Sequence, residues 1–397
     1  MAKFDISIFD EVIDRSNTGS IKWDPFYLKM IFGKEDLLPL WVADMDFRAP
    51  QPVIDALVER AKHGIFGYTG PDPSRYYKSV INWFKRRHNW FLDKDWFIFS
   101  PGIVQACTYL IQRFSQPGDK IIIQNPVYYP FADIIKNNGR RIVSNQLDLI
   151  DGHYQMNFED LEAKAKDPRL KALILCSPHN PVGRVWLKDE LNRLGDICLE
   201  NNILVFSDEI HCDLIFPNNK HTVFASISEE FAQYSITCTA GSKTFNLAGF
   251  QHSNVIIPNK NLRKIFKIQM ENNALTTPNV FGALALQVAY DEGEEWLESL
   301  IQVLKRNLDF LKSFIKENLP QISVIEPEGT YLVWLDFREL GLEHKELEKK
   351  MLEEAKLALD SGYKFGVGGE GFERINIACP ISILRESLER IARVFSN

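Results

Sequence analysis

KALILCSPHNPVGRVWLKDELNRLGDICLENNILVFSDEIHCDL, residues 171–214, decides the fold. It opens on an unbroken apolar run, 172–176, too short for a helix and stopped by a turn that carries two prolines. Residues 187–202 then read as an amphipathic helix, and a second apolar run, 203–206, ends in Ser-Asp. Continuous apolar strands joined through a helix are the mark of parallel strands covered on both faces.

The same alternation extends in both directions. Upstream, DWFIFS (95–100) precedes IVQACTYLIQRF (103–114), where Ile103, Cys107, Leu110, Ile111 and Phe114 recur at helical spacing and Pro117-Gly118 ends the pattern. KIIIQ (120–124), a helix near 130–138, RRIVSN (140–145) and a helix near 157–166 follow. Downstream come YSITCTA (234–240) and SNVIIP (253–258). The expectation is an α/β chain with a mostly parallel central sheet. From about residue 287 the character changes: charged helical stretches at 293–319 and 344–359 surround strands at 330–337 and 374–380. A large domain over 46–286 and a smaller α+β domain formed by 1–45 and 287–397 account for this.

Composition narrows the function. Hydrophobic residues make up 45% and charged residues 25%, and 27 Phe with 8 Trp can fill a large aromatic core. A formal charge of −7 argues against phosphate-backbone or anionic-lipid partners. The basic cluster Trp83–His88 reads as a solvated helix face rather than a nucleic-acid patch. Cysteines 107, 176, 198, 212, 238 and 379 form no C-x-x-C pair and read as small core residues in a reducing compartment. His211-Cys212 has no second pair at zinc spacing, so no metal is expected. The first 20 residues lack the apolar stretch of a secretory signal, and no run approaches the ~18 residues of a membrane span. A cytoplasmic location is expected.

In parallel sheets ligands bind beyond the carboxyl ends of the strands, so the turns there carry the chemistry. After FIFS, Gly102, Ile103 and Val104 open a helix whose free N–H groups suit an anion. NPVYYP places Tyr128 at the sheet mouth, SPHNPVGRVW places Asn180, and ILVFSDEIHCDL ends its strand on Asp208 with His211 following. YSITCTAGSK delivers Lys243 to the same edge, among small and hydroxylated neighbours. Each feature alone is as easily a turn, a cap or a rim residue. Together they suit pyridoxal 5′-phosphate (PLP), whose aldehyde takes a lysine amine, whose pyridinium takes a carboxylate and whose phosphate takes backbone N–H groups.

Six stretches in order carry a resemblance: SPG at 100, NPVYYPF at 125, SPHNPVGRVW at 177, SDEIHCDL at 207, SKTFNLAGF at 242 and RINIACP at 374. The chain resembles the fold-type I PLP-dependent enzymes of the aminotransferase superfamily almost end to end. PLWVADMDF (39–47), FGYT (66–69), DEIHCDL and TYLVWLDF (330–337) make it most similar to the cystathionine β-lyase, or C–S β-lyase, branch. The resemblance implies that Lys243 is the Schiff-base lysine and Asp208 the partner of the pyridine nitrogen. It further implies that Asn180 and His211 hydrogen-bond the phenolate oxygen and that Tyr128 stacks on the ring. The Gly102, Ile103 and Val104 amides and Ser242 would hold the phosphate, with Tyr68 reaching it from the partner subunit of a homodimer. Arg374, presented by the glycine-rich 365–373 loop, would pair with the substrate carboxylate, with Asn180 beside it. Gln251 and His211 stand where many aminotransferases have arginine and tyrosine, and Gly241 where proline or serine is common. The first two favour α,β-elimination of cystathionine, cysteine or related thioethers, with transamination as the alternative. A binding protein without turnover on the same fold is opposed by the complete set Lys243, Asp208, Asn180 and Arg374.

Overall fold

The computed structural model describes residues 5–70, 72 and 74–396, so the first four residues of the N-terminal stretch and of the expected small domain, and its last residue, lie outside it. Seven strands form the main sheet: β1 (Phe97–Ser100), β2 (Lys120–Ile123), β3 (Arg141–Ser144), β4 (Leu170–Cys176), β5 (Leu204–Asp208), β6 (Ser235–Thr239) and β7 (Ser253–Ile256). Their order is β1-β7-β6-β5-β4-β2-β3, and β7 alone runs antiparallel to the other six. The apolar runs behave as their continuity requires. Leu173, Leu175 and Val205 pack on one face of the sheet, and Ala172, Ile174 and Phe206 pack on the other. Each such buried Leu, Ile, Val or Phe side chain is worth roughly 1.5–3 kcal/mol of transfer free energy, so the two-sided burial of the central strands anchors the fold.

Helices cover both faces. Along α1 (Ile103–Phe114), Ala106, Cys107, Leu110 and Ile111 are buried, in line with the spacing of the sequence. Along α2 (Lys188–Glu200), Leu191, Leu194 and Cys198 are buried, and Gly195 lets the helix approach the ring of Phe231 more closely than any Cβ would permit. The second sheet is antiparallel, in the order β8-β9-β11-β10, from β8 (Ser323–Ile325), β9 (Leu332–Asp336), β10 (Asp360–Ser361) and β11 (Phe372–Asn376). α3 (Glu294–Asn318), α4 (His344–Glu353) and α5 (Ile381–Phe395) surround it. One hydrophobic cluster runs from Phe9 and Trp83 through Trp296 and Leu332 to Leu388, tying the arm and both sheets together. The six cysteines are free and buried. Among the described residues no helix is long and apolar enough to cross a membrane.

Two sequence readings need correction. The helix expected over 344–359 ends at Glu353; Lys356 takes a left-handed φ of 54°, and Leu357–Ala358 pair in parallel with Leu38–Pro39. Tertiary pairing with the N-terminal arm overrides the local helical pattern there. Of the 83–88 cluster only Lys85 and Arg86 lie on a solvated face. Trp83 and Phe84 are fully buried, and Arg87 and His88 turn inward to Asp213 at 3.7 and 2.8 Å.

Candidate active site

The register of the sheet gathers the site. Cys176, Asp208 and Cys238 lie side by side on β4, β5 and β6. The turns leaving that level therefore hold Asn180, His211, Ser242 and Lys243 together. These residues, with Gly102, Ile103, Val104 and Tyr128, line a cavity of about 140 Å3 that also touches Ala43, Gln105 and Gln251. A larger cleft of about 870 Å3 lies against Tyr76, Lys94 and Lys264 and shares only His252 with this cavity; it holds none of the expected residues. Tyr68 is fully exposed and does not reach the cavity of its own chain.

Lys243 keeps part of its surface open to the cavity, but its amine is enclosed and donates to the Ala43 carbonyl at 2.6 Å. Burial, with help from the Arg374 charge, brings the amine down to about 8 against the opposing pull of Asp44 and Asp208. Burial pushes the Asp208 carboxyl up to about 7, while the Ile210 N–H, donating at 3.1 Å, and the Lys243 charge act against it. His211 is held well below the ordinary imidazole value by burial and by the charges of Lys243 and Arg374, so its ring is neutral, and its Nδ1 has no partner among the described residues. Burial raises the Tyr128 hydroxyl to about 12. Asn180 Oδ1 accepts from Arg374 Nη1 at 2.9 Å, which leaves the amide nitrogen of Asn180 as a donor. Arg374 also donates through Nη2 to Asp360 and to the Trp41 carbonyl, both at 2.6 Å. These bonds use three of the five guanidinium N–H donors.

The donor set fits PLP. A buried carboxyl that gains from a cationic partner, an enclosed amine, a neutral imidazole with an unsatisfied nitrogen and an amide donor line one cavity. At its edge Gly102 is the N-cap of α1 and offers no side-chain cap, so the first amides of the helix retain their capacity for an anion. Asp360 and Tyr331 were not anticipated as parts of the site; no local motif links them to Lys243 or Arg374. Behind the site, donor atoms of His88, Cys212 and Asp213 lie within 4.8 Å of one another. Asp213 there accepts from Trp83, His88 and Thr244, with Arg87 as its cation, so the group is a closed hydrogen-bond network.

A mostly parallel seven-stranded sheet with a lysine, an aspartate and a helix start at its carboxyl edge defines a fold-type I, aminotransferase-like PLP enzyme. The chain belongs to the aminotransferase class I and II family, whose model matches residues 35–391. It is 45% identical over 388 residues to cystathionine beta-lyase PatB of Bacillus subtilis (strain 168), covering 98% of this chain and 100% of that one. Cystalysin from Treponema denticola, solved with a pyridoxal 5′-phosphate cofactor, superposes with a TM-score of 0.94 at 44% identity, covering 97% and 98% of the two chains. The PLP-bound C–S lyase from Staphylococcus hominis gives 0.91 at 34% identity, covering 98% and 97%.

Proposed function

We propose that this protein is a PLP-dependent carbon–sulfur β-lyase that converts cystathionine, cysteine or related S-substituted cysteines, with water, to a thiol, pyruvate and ammonia. The observation that carries this reading is the convergence of Lys243, Asp208, Asn180 and His211 on one small cavity, in a chain similar to named C–S lyases over nearly its whole length. When bound, PLP supplies the electron sink for the pair released at the substrate Cα.

The chain's own residues supply the rest. Lys243, lowered to about 8, is poised to take the Cα proton at Nζ near neutral pH, and the Ala43 carbonyl stands ready to hold the resulting ammonium. Asp208 would keep the pyridine nitrogen protonated. Neutral His211 and the Asn180 amide would donate to the phenolate oxygen, and Tyr128 would cover the ring. The amides of Ile103 and Val104, with Gly102 and Ser242, would hold the phosphate, completed by Tyr68 of a partner subunit. Arg374, with donors to spare, would bind the substrate carboxylate beside Asn180. The cofactor-binding domain would be 46–286, with 1–45 and 287–397 as the smaller domain.

Purified protein loaded with PLP and given cystathionine or cysteine is expected to release thiol and pyruvate in equal amounts. Lys243→Ala should reduce that rate by at least ~1000-fold, the scale of a lost general base. Formation of a new amino acid from a keto-acid acceptor, with no pyruvate from either thioether or thiol substrate, would instead establish an aminotransferase.

A further inference from the structure

The segment facing Lys243 is held at almost every carbonyl. Arg374 donates to Trp41 O at 2.6 Å; Asn376 donates to Val42 O and Asp44 O at 2.7 and 2.6 Å. Asn246, which follows Lys243 closely in the chain, donates to Met45 O and Phe47 O, both at 2.9 Å. Ala43 O receives two donors, Lys243 Nζ at 2.6 Å and the Tyr331 hydroxyl at 2.9 Å. Next to that carbonyl, Asp44 sits in a four-charge cluster built by the N-terminal arm. Arg15 grips it bidentately, at 3.1 Å to Oδ1 and 2.8 Å to Oδ2, and also reaches Asp46 at 2.6 Å. Lys22, fully buried, bonds Asp46 at 2.8 Å and lies 3.6 Å from Asp44; Trp23 Nε1 donates to Asp46 at 2.7 Å.

We propose that Asp44, clamped by Arg15 and Lys22 of the N-terminal arm, is a positioning residue that sets the proton affinity of Lys243 and docks its ammonium on the Ala43 carbonyl.

A peptide wall alone needs no carboxylate. Burial works against the Asp44 charge, but Lys22, Arg15 and Lys243 outweigh it and hold the carboxyl below its ordinary value, so it is ionised at neutral pH. The charged groups acting on Lys243 are Asp44, Arg374 and Asp208, and Asp44 is the strongest of the two that favour the ammonium. Those acting on Asp44 are Arg15, Lys22 and Lys243, and its charge also reaches the neighbouring Tyr331 hydroxyl. Two arm cations are thus shared between Asp44 and Asp46, and the Asp44 charge moderates the amine. The consequence is a pair of shifts of opposite sign. Removing Asp44's charge must lower the amine's proton affinity, whereas removing Arg15 unmasks Asp44 and must raise it.

The test is made on the full-length chain freed of cofactor with hydroxylamine, with no substrate present, so its outcome is independent of the reaction assigned above. Acetylation of Lys243 by acetic anhydride, followed by peptide mass spectrometry against pH, reports the neutral amine. Asp44→Asn should move the midpoint down by on the order of one pH unit, the scale for loss of one nearby opposite charge. Asp44→Glu should restore most of the shift, and Arg15→Gln should move the midpoint up. An unmoved midpoint in Asp44→Asn, or shifts of the same sign in Asp44→Asn and Arg15→Gln, overturns the proposal. If Asp44→Asn does not fold, Arg15→Gln decides alone: a rise supports the role, and no change or a fall overturns it.

Discussion

Arg374 is buried, and its guanidinium is half of an ion pair before any substrate arrives. Asp360 meets it at 2.6 Å, and burial pushes the Asp360 carboxyl upward against the pull of that charge. Truncating the arginine removes a carboxylate receptor and also strands a buried carboxyl. Arg374→Ala is therefore expected to raise KM for amino-acid substrates and to lower stability by about 3 kcal/mol in urea unfolding, the scale of a broken buried pair. The double variant with Asp360→Asn should regain much of the stability while leaving KM high. An Arg374→Ala variant with unchanged KM would remove its carboxylate role. At this scale Asp208, Asn180 and Lys243 were readable because each ends an apolar run, and strand ends of a parallel sheet meet at one edge. Asp44, Tyr331 and Asp360 were not. Ala43 and Lys243 are 200 positions apart, and only tertiary approach brings them together.

The β11 strand shows how alternation divides roles within an element. Arg374 points to the cavity side, so Glu373 points to the opposite side of the sheet, where burial pushes its carboxyl up to about 8 despite Lys364. Its folded-state value lies above the unfolded one. The fold therefore favours the protonated acid; that stability is complete below about pH 4 and is lost as pH rises through 8. Glu373→Gln, a mimic of the protonated acid, should be more stable than the parent at pH 8.5 by roughly 2–4 kcal/mol and nearly equal to it at pH 4.5. Parallel urea titrations at the two pH values check this; a gap that is the same at both contradicts it. Elements with a clear amphipathic repeat, such as α1 and α2, were legible from periodicity. The end of α4 was not, because Leu357–Ala358 are claimed by pairing with Leu38–Pro39, a partner remote in sequence. Trp83–His88 misled in the same way: its charges are answered by Asp213, Glu294 and Glu298 on distant segments.

At the scale of the whole molecule, the α/β class and the order of the strands' chemistry followed from the alternation of apolar runs with amphipathic helices. The number of subunits did not, since a single chain's pattern records its own core. Tyr68 is fully exposed, on a stretch with Ile65 and Phe66 also exposed, and the proposed homodimer can be tested there. If Tyr68 completes the phosphate site of a partner, inactive Lys243→Ala and impaired Tyr68→Ala chains should complement when refolded together. Half of the dimers would then be hybrids, each with one intact site, giving up to about a quarter of parental activity in a two-fold symmetric assembly. No gain over the separate variants would place Tyr68 outside the site.

The claim on which all of this rests is a covalent link between PLP and the amine that the sheet delivers at residue 243. Borohydride reduction of the PLP-loaded protein followed by peptide mapping tests it most directly. The account predicts a phosphopyridoxyl group on the peptide containing Lys243 and loss of the visible absorbance of the bound cofactor. A group fixed on another lysine, or no group retained at all, would contradict it.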